Sequence, residues 1–453
     1  NESVAASLVA NGISTFSRSI KLDRARGFFC GIGKCSSCLM RINGVPNVRT
    51  CITPVRENIR VETQHGLADI PSAEFKKKRK ESIDVDVLII GGGPAGLTAA
   101  LECAKRGVNV LIVDENYRLG GQLIKQTHKF FGSKDELASI RGIDIAKMLE
   151  EEIGNYNNIK VMLQSTVFGY YESNDSSHLF GVAERLDDYS ERLIEVRCKS
   201  AVFACGAMEN MIVFPNNDLP GVYGAGAVQT LVNVYGVKPG NRVLMVGSGN
   251  VGLIVSYQLL QAGIDVACVI EAMPRIGGYH VHAAKLRRFG VPILVSHTIK
   301  EAIGEERVEG ATIVELNEKW EMIPGSEKRI DCDTICLAVG LTPSVRLVAQ
   351  TGAHVRYIPE AGGYVAIHNE FMETSVKGIF TAGDLSGIEE ASTAMLEGKI
   401  AGIAAACHAK GERIDEDEVR RYSERLKELR AGPFGEKARK AKERILRIYG
   451  ERA

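Results

Sequence analysis

Residues 87–96 read Val87-Leu88-Ile89-Ile90-Gly91-Gly92-Gly93-Pro94-Ala95-Gly96. An apolar run with strand character meets a glycine-rich turn, and an Ala/Leu-rich helical pattern continues from Leu97 to about Lys105. The spacing Gly91-x-Gly93-x-x-Gly96 is the dinucleotide fingerprint, and each glycine has a mechanical role. Gly91 permits the tight turn, Gly93 lets a pyrophosphate approach the backbone, and Gly96 packs the helix close on the strand. Pro94 and Ala95 open that helix, whose N-terminal N–H groups and dipole face the phosphates. A second strand, Asn109 to Val113, ends in Asp114 with Glu115 beside it. That lies near the ~20-residue offset of an acid that binds the ribose hydroxyls.

The same pattern recurs at Arg242-Val-Leu-Met-Val-Gly247-Ser-Gly249-Asn250-Val251-Gly252, and the strand from Asp265 that follows ends in Glu271. An acid there accepts both ribose hydroxyls and repels a 2′-phosphate, which favours NAD(H). Arg275 is near enough to soften that preference. Ile330–Gly340 reads as the last strand of this second domain. Gly362–Ile367 and Thr374–Asp384 return to the first, followed by a small-residue helix over Glu389–Ala406. One fingerprint nested inside the other implies an α/β fold with two Rossmann-like dinucleotide-binding domains, the second inserted in the first.

Between the fingerprints, Leu119-Gly120-Gly121-Gln122-Leu123 follows the first acid. Residues 160–205 alternate apolar and polar over Lys160–Val167, Leu179–Arg185 and Leu193–Val196, the pattern of a small antiparallel meander. The meander closes on an apolar strand ending in Cys205 and a glycine turn at Gly206. Cys205, Cys332, Cys336 and Cys407 sit in strand or helix patterns and read as core residues.

The 453 residues suffice for two or three domains, and 45% hydrophobic with 25% charged residues describes an ordinary globular chain. Lys+Arg and Asp+Glu balance at 56 each, so no global field points to nucleic acid or a membrane surface. No apolar run reaches the ~18 residues of a spanning helix. Eleven cysteines are odd in number and unevenly spread, which suits a reduced, cytoplasmic setting with a metal cluster better than a disulfide framework.

Those cysteines concentrate at the front, in Cys30-Gly-Ile-Gly-Lys-Cys35-Ser-Ser-Cys38, with a fourth at Cys51. C-x4-C-x2-C with a distant fourth cysteine is the plant-type [2Fe–2S] spacing. Gly31 and Gly33 let the loop wrap closely and aim N–H groups at sulfur, and four thiolates are the soft ligands two irons require. A four-cysteine zinc site is the rival reading. A short helix over Ser3–Asn11 precedes the loop. A basic run, Phe75-Lys-Lys-Lys-Arg-Lys80, follows as a solvated linker within 71–83.

Residues 1–70, with CGIGKCSSC and Ile42-Asn-Gly-Val-Pro-Asn-Val-Arg-Thr-Cys51, resemble the β-grasp ferredoxin-type domain of the large subunits of multi-subunit amine dehydrogenases and oxidases. That group includes dye-linked proline dehydrogenase, sarcosine oxidase, opine oxidase and hydrogen-cyanide synthase. Such domains begin with a β-hairpin, so residues are expected ahead of Asn1. The rest resembles a glutathione-reductase-like flavoprotein: an FAD domain at 84–220 and 341–410, an NAD domain at 221–340, and a helical tail at 411–453. Within that resemblance Asp384 holds the ribityl chain beside the FAD pyrophosphate, and Gly121 and Gln122 lie against the flavin. Lys125 and His128, in Lys125-Gln-Thr-His128-Lys-Phe-Phe-Gly132, are candidates to stabilise a reduced flavin and equally fit surface or core roles, so no catalytic residue is assigned. Disulfide reductases of this build carry a cysteine pair near the flavin or in the second domain. This chain has none at either place, which argues against disulfide chemistry.

The resemblance implies an electron-transfer subunit passing electrons among FAD, the [2Fe–2S] cluster and NAD(H) or another acceptor. It implies a hetero-oligomer in which an amino-acid-oxidase-type flavoprotein subunit dehydrogenates a secondary amine. An FMN often sits at the subunit interface, and a small iron–sulfur subunit is a further expected partner. Some relatives hold NAD or ATP without turning it over, so an inert scaffold stays open. So do a self-contained NADH:acceptor oxidoreductase and a partner of glycerol-3-phosphate dehydrogenase, which the 121–132 stretch also resembles. The tail carries an apolar stripe, Val419, Tyr422, Leu426 and Leu429, that would cap its parent domain or meet another subunit.

Overall fold

The computed structural model describes residues 2–68, 81–129, 134–171, 177–186 and 190–451. The basic run at 75–80 and Phe130–Gly132 lie outside these. Contacts divide the chain into two compact units, Asn1–Glu74 with Glu209–Gly340, and Phe75–Met208 with Leu341–Ala453. The chain therefore crosses into the insertion at Glu209, ahead of the expected 221.

The chain starts with helix α1 (Val4–Ala10), which Ser3 caps by accepting from the Ala6 N–H at 3.2 Å. Short strands follow: β1 (Ser17–Arg18), β2 (Ala25–Arg26), β3 (Leu39–Ile42), β4 (Val45–Arg49), β5 (Val61–Glu62) and β6 (Gln64–His65). They pair as two three-stranded sheets, β2-β1-β6 and β4-β3-β5.

The second unit opens with β7 (Glu81–Ile90), so the expected linker gives way to strand at Glu81. Its first half alternates, with Asp84 and Asp86 outward, and Val87–Ile90 is buried on both faces. That shift from alternation to a continuous apolar run is what a strand buried on both sides requires. Helix α2 (Pro94–Lys105), β8 (Val110–Val113), α3 (Gly142–Gly154) and β9 (Ile159–Met162) complete two crossovers between parallel strands. An antiparallel meander then runs through β10 (Ser165–Tyr171), β11 (His178–Arg185) and β12 (Glu191–Phe203), with β13 (Ala207–Glu209) after it.

The meander is there, but the apolar run Lys160–Val167 is two strands. Ile159–Met162 joins β8 in parallel, and Ser165 begins the antiparallel part. Gln164 makes the break, with φ of 50°, and its N–H donates to Asn116 O at 2.8 Å. Strand β12 serves both halves: residues 191–198 pair with β11, and 194–203 run parallel to β7.

The insertion carries β14 (Val222–Gly224), α4 (Ala225–Tyr235), β15 (Arg242–Val246), α5 (Asn250–Gln261), β16 (Asp265–Glu271), α6 (His280–Arg288) and β17 (Ile293–Val295). A second meander, β18 (His297–Ile303), β19 (Gly310–Glu315) and β20 (Lys328–Ile330), precedes β21 (Thr334–Leu337). Its parallel sheet has the order β14-β21-β15-β16-β17. The ferredoxin-like segment packs on this insertion. Phe28, Cys38, Met40 and Cys51 share one apolar cluster with Tyr223, Ala227 and Leu231. Arg24 clasps Asp218 with two hydrogen bonds of 2.9 and 2.8 Å, holding that carboxyl below its usual range.

The chain returns to the second unit through β22 (Leu341–Pro343), α7 (Arg346–Gln350), β23 (Val355–Ile358), β24 (Gly363–Ala366) and β25 (Ile379–Thr381), the last parallel to β12. Helix α8 (Ala391–Lys410) then lies against α2. A Cβ on Gly398 would stand 2.2 Å from Ala95 O, and one on Gly402 2.4 Å from Ala99 O, so only glycines permit this approach. The stripe of α9 (Glu416–Leu429) joins the same core, with Val419 and Leu426 buried. It caps its parent unit, while α10 (Glu436–Gly450) buries Ala441 and Ile445 against Ile358 and Val365. Among the described residues no helix is long and apolar enough to cross a membrane.

Candidate functional site

The two fingerprint loops have the same construction. Gly91 has φ of 109°, and a Cβ there would meet Ala204 O at 2.4 Å; Gly247 has φ of 105°, with Ala338 O at 2.3 Å. Added Cβ atoms on Gly96 and Gly252 would lie 1.8 and 2.1 Å from the carbonyl oxygens of Gly91 and Gly247. The middle glycines differ. A Cβ on Gly93 has its nearest neighbour at 3.8 Å, and one on Gly249 meets nothing within 4 Å. The outer glycines thus close the strand–helix contact and the middle one leaves its face open for a ligand. Helices α2 and α5 start here with Gly93 and Gly249 as N-caps and no side-chain cap. Their first-turn N–H groups are suited to phosphate oxygens.

Both expected acids stand at these loops, and both hold the loop itself. Asp114 accepts from the Gly92 N–H at 2.6 Å and the Asn116 N–H at 2.7 Å. Glu271 accepts from the Ser248 N–H at 2.9 Å, the Ser248 hydroxyl at 2.7 Å and the Met273 N–H at 3.0 Å. A carboxylate has about four lone-pair sites, so each retains capacity for a ribose hydroxyl. Glu115 is half-buried next to Asp114, while Val251 and Arg275 are exposed.

A second glycine pair lies over each loop. A Cβ on Gly121 would come 2.7 Å from Gly93 Cα, and one on Gly278 2.8 Å from the Asn250 nitrogen. Gly120 donates to Gly92 O at 2.8 Å and Gly278 to Ser248 O at 2.9 Å. Sequence reasoning finds Gly121 and misses its counterpart. The signal is present, since Arg118-Leu-Gly-Gly and Arg275-Ile-Gly-Gly repeat at matching distances from the two acids. Gln122 is exposed, Lys125 buried and His128 half-buried. Gly206 has φ of 66° and accepts from the Ser344 N–H at 3.0 Å.

Asp384 follows β25 on a turn that reaches the first loop. A Cβ on Gly383 would be 3.0 Å from the Ala95 side chain, at the start of α2. Asp384 keeps a partly open edge yet sits deep among protein atoms, which pushes its carboxyl up to about 6. The neighbouring charges of Glu389 and Glu397 add to that rise.

The four front cysteines also come together. Cys30 hydrogen-bonds to Cys35 and Cys51, and Cys51 in turn to Cys38. Cys30, Cys38 and Cys51 are buried and Cys35 is half-buried. Gly33, with φ of 75°, donates its N–H to Cys51 sulfur at 3.3 Å, and Ser37 donates to Cys35 sulfur at 3.5 Å. Arg49 donates to Gly33 O at 2.8 Å, bracing the loop. Among the described residues no three such side chains converge as a single-ion site, and the thiols instead stand linked in a row. Four soft donors with backbone N–H groups aimed at sulfur fit a two-iron cluster. The thiol–thiol hydrogen bonds occupy the valences such a cluster would take. Of the cysteines expected in the core, Cys332, Cys336 and Cys407 are buried and Cys205 is half-buried. Cys103, Cys198 and Cys336 are fully enclosed, and burial pushes their thiols up.

Comparison with known proteins agrees with this layout. Residues 85–398 match the pyridine nucleotide-disulphide oxidoreductase family, and residues 1–66 the 2Fe-2S iron-sulfur cluster binding domain. The alpha chain of sarcosine oxidase from Corynebacterium sp. (strain P-1) is 28% identical over 91% of this chain and 42% of its own length. The larger-lettered component of opine oxidase from Rhizobium meliloti, its A chain, is 29% identical over 71% of this chain and 62% of its own. The chain thus spans less than half of that sarcosine oxidase component. The crystal structure of L-proline dehydrogenase from P. horikoshii superposes with a TM-score of 0.67 and 26% identity, covering 94% of this chain and 74% of that one. The nested fingerprints and the front cysteines are therefore those of a member of the pyridine nucleotide-disulphide oxidoreductase family, an FAD- and NAD(H)-binding oxidoreductase that also carries a [2Fe–2S] ferredoxin-type domain.

Proposed function

We propose that this chain is the electron-transfer subunit of a multi-subunit flavoprotein dehydrogenase acting on a secondary amine or amino acid of the proline, sarcosine or opine type. The observation that carries the reading is the gathering of Cys30, Cys35, Cys38 and Cys51 in one loop, in a chain with two open glycine cradles. Bound flavin exchanges electrons in pairs with organic substrates and singly with iron–sulfur centres. In this reading Gly91, Gly93, Gly96, Asp114 and Asp384 hold FAD, and Gly247, Gly249, Gly252 and Glu271 hold NAD(H). The four cysteines hold the cluster within 1–70. Amine oxidation belongs to a partner, an amino-acid-oxidase-type flavoprotein subunit. The sarcosine oxidase and opine oxidase relatives are each named as one component of a larger enzyme, which supports such a hetero-oligomer.

An anaerobic titration tests the assignment. Proline, sarcosine and an opine are added to the purified chain alone and to the chain co-expressed with the flavoprotein encoded beside it. Flavin bleaching and a reduced-cluster EPR signal are expected only with the partner present. Bleaching by an amine in the chain alone would overturn the division of labour. Bleaching by NADH alone would favour the self-contained NADH:acceptor reading, which the intact second cradle also supports.

A further inference from the structure

Four charges are buried together beneath the turn that carries Asp384. Glu389 lies just ahead of α8 and Glu397 within it; Arg430 caps the end of α9, and Lys442 lies in α10. Arg430 holds Glu389 through two hydrogen bonds of 2.8 Å and reaches Glu397 at 2.6 Å. The Lys442 ammonium is 2.7 Å from Glu397 and 3.8 Å from Glu389. All four side chains are nearly enclosed, from 3% exposure at Glu397 to 12% at Arg430. Burial pushes the Glu397 carboxyl up, but Lys442 and Arg430 override it and hold the group well below its usual range. His368 faces the same charges; burial pushes its imidazole down to about 4, so it adds no third cation.

The network is tied to the turn itself. The second oxygen of Glu397 accepts from the Gly383 N–H at 3.0 Å and lies 2.6 Å from the Ser386 hydroxyl. Lys442 also donates to the Ser386 carbonyl at 2.8 Å. Gly383, the residue before Asp384, has φ of 70° and is thus fixed from below by a carboxylate whose charge is balanced from the tail. Both cations lie beyond residue 398, where the family match ends. The core fold supplies the two acids, and an added helical pair supplies their partners.

We propose that helices α9 and α10 form a latch in which Arg430 and Lys442 are positioning residues for the Gly383–Ser386 turn, and so for retention of FAD at Asp384. The second half of this rests on Asp384 being a flavin contact. Without Lys442, a buried carboxylate loses a partner; Glu397 then takes a proton or turns toward solvent, and the Gly383 N–H is released.

The test uses the full chain with Lys442→Met, Arg430→Gln, the conservative Lys442→Arg, and the double variant Glu397→Gln/Lys442→Met. Arg420→Gln, on an exposed face of α9, serves as the control. Amide hydrogen exchange at 381–387 is the primary readout and needs no flavin. The dissociation constant of FAD, from fluorescence on titrating flavin-free protein, is the second. Lys442→Met is expected to speed exchange at Gly383 at least tenfold and to weaken FAD at least tenfold. Lys442→Arg should recover most of both, and the double variant should recover exchange protection because a Gln amide oxygen still accepts from Gly383. Cluster absorbance, from the other unit, should be unchanged throughout. Parental exchange in Lys442→Met overturns the latch. A uniform rise in exchange across α2 and α8, unrescued in the double variant, overturns it in favour of general packing. Faster exchange at Gly383 with unaltered FAD affinity keeps the latch and overturns instead the placing of flavin at Asp384.

Discussion

Replacing Asp384 with asparagine should stabilise the flavin-free protein, and the gain should depend on pH. In the fold this carboxyl is pushed from its ordinary 3.8 up to about 6, so the native state resists its ionisation. Each unit of pKa is worth roughly 1.4 kcal/mol, which puts the cost of the ionised group near 3 kcal/mol. Between about pH 4 and 6 the native state binds more protons than the unfolded one, so stability falls as pH rises through that window. Below it the carboxyl is neutral in both states and the aspartate and asparagine chains should match. Above about pH 6 the variant should be more stable by about 2–3 kcal/mol, since the Glu389 N–H that the carboxylate would lose is a weak donor at 3.4 Å. Calorimetric scans of the flavin-free chain and its Asp384→Asn variant, from pH 5 to 8, read this directly. FAD affinity should fall in the same variant, because a group kept at a stability cost is retained for what it binds. Equal stabilities at pH 8, or a variant that is weaker there, would refute the reasoning.

Gly96→Ala and Gly252→Ala each force a Cβ to within about 2 Å of a backbone oxygen, 1.8 and 2.1 Å before any shift. Each should separate its own helix from its strand, costing about 1–3 kcal/mol, and abolish nucleotide binding at that loop alone. Flavin content and NADH fluorescence distinguish the two. Glu271→Ala removes the acid that also accepts two hydrogen bonds from Ser248. It should weaken NADH at least tenfold and narrow the gap to NADPH, measured as two dissociation constants. Cys51→Ser should eliminate the cluster's visible and EPR signals while leaving FAD content near that of the parent. Because Cys51 shares an apolar cluster with Tyr223 and Leu231, the insertion should also melt earlier.

Much of the site can be read because its chemistry demands fixed spacings. A pyrophosphate loop needs its three glycines at set intervals, and a two-iron cluster needs four sulfurs within one loop and its neighbour. What escapes depends on partners distant in sequence. The run Lys160–Val167 alternates without interruption, and periodicity cannot register that half of it pairs in parallel and half antiparallel. Gln164, which divides them, carries no turn signature. Arg24 and Asp218 look like ordinary surface charges until the fold brings them within 2.8 Å. Arg430 and Lys442 belong to a tail so rich in charge that a solvated helix is the natural reading, and burial, not sequence, distinguishes them from Arg420. The second glycine pair at Gly277–Gly278 is legible through its likeness to Gly120–Gly121, but only to a search for repeats extending past the fingerprint.

The close seating of α8 on α2 also sets an order of assembly during synthesis. Every residue of the cysteine-bearing unit has left the ribosome once Gly340 has emerged. The first fingerprint loop is translated far earlier, yet its sheet lacks β25 and its helix α2 lacks the glycine face of α8 until residue 402 follows. Domains generally fold as units during translation. The iron–sulfur half can therefore mature while the flavin half still waits for its last strand and helix, a reversal of the order in which their sequences begin to interleave.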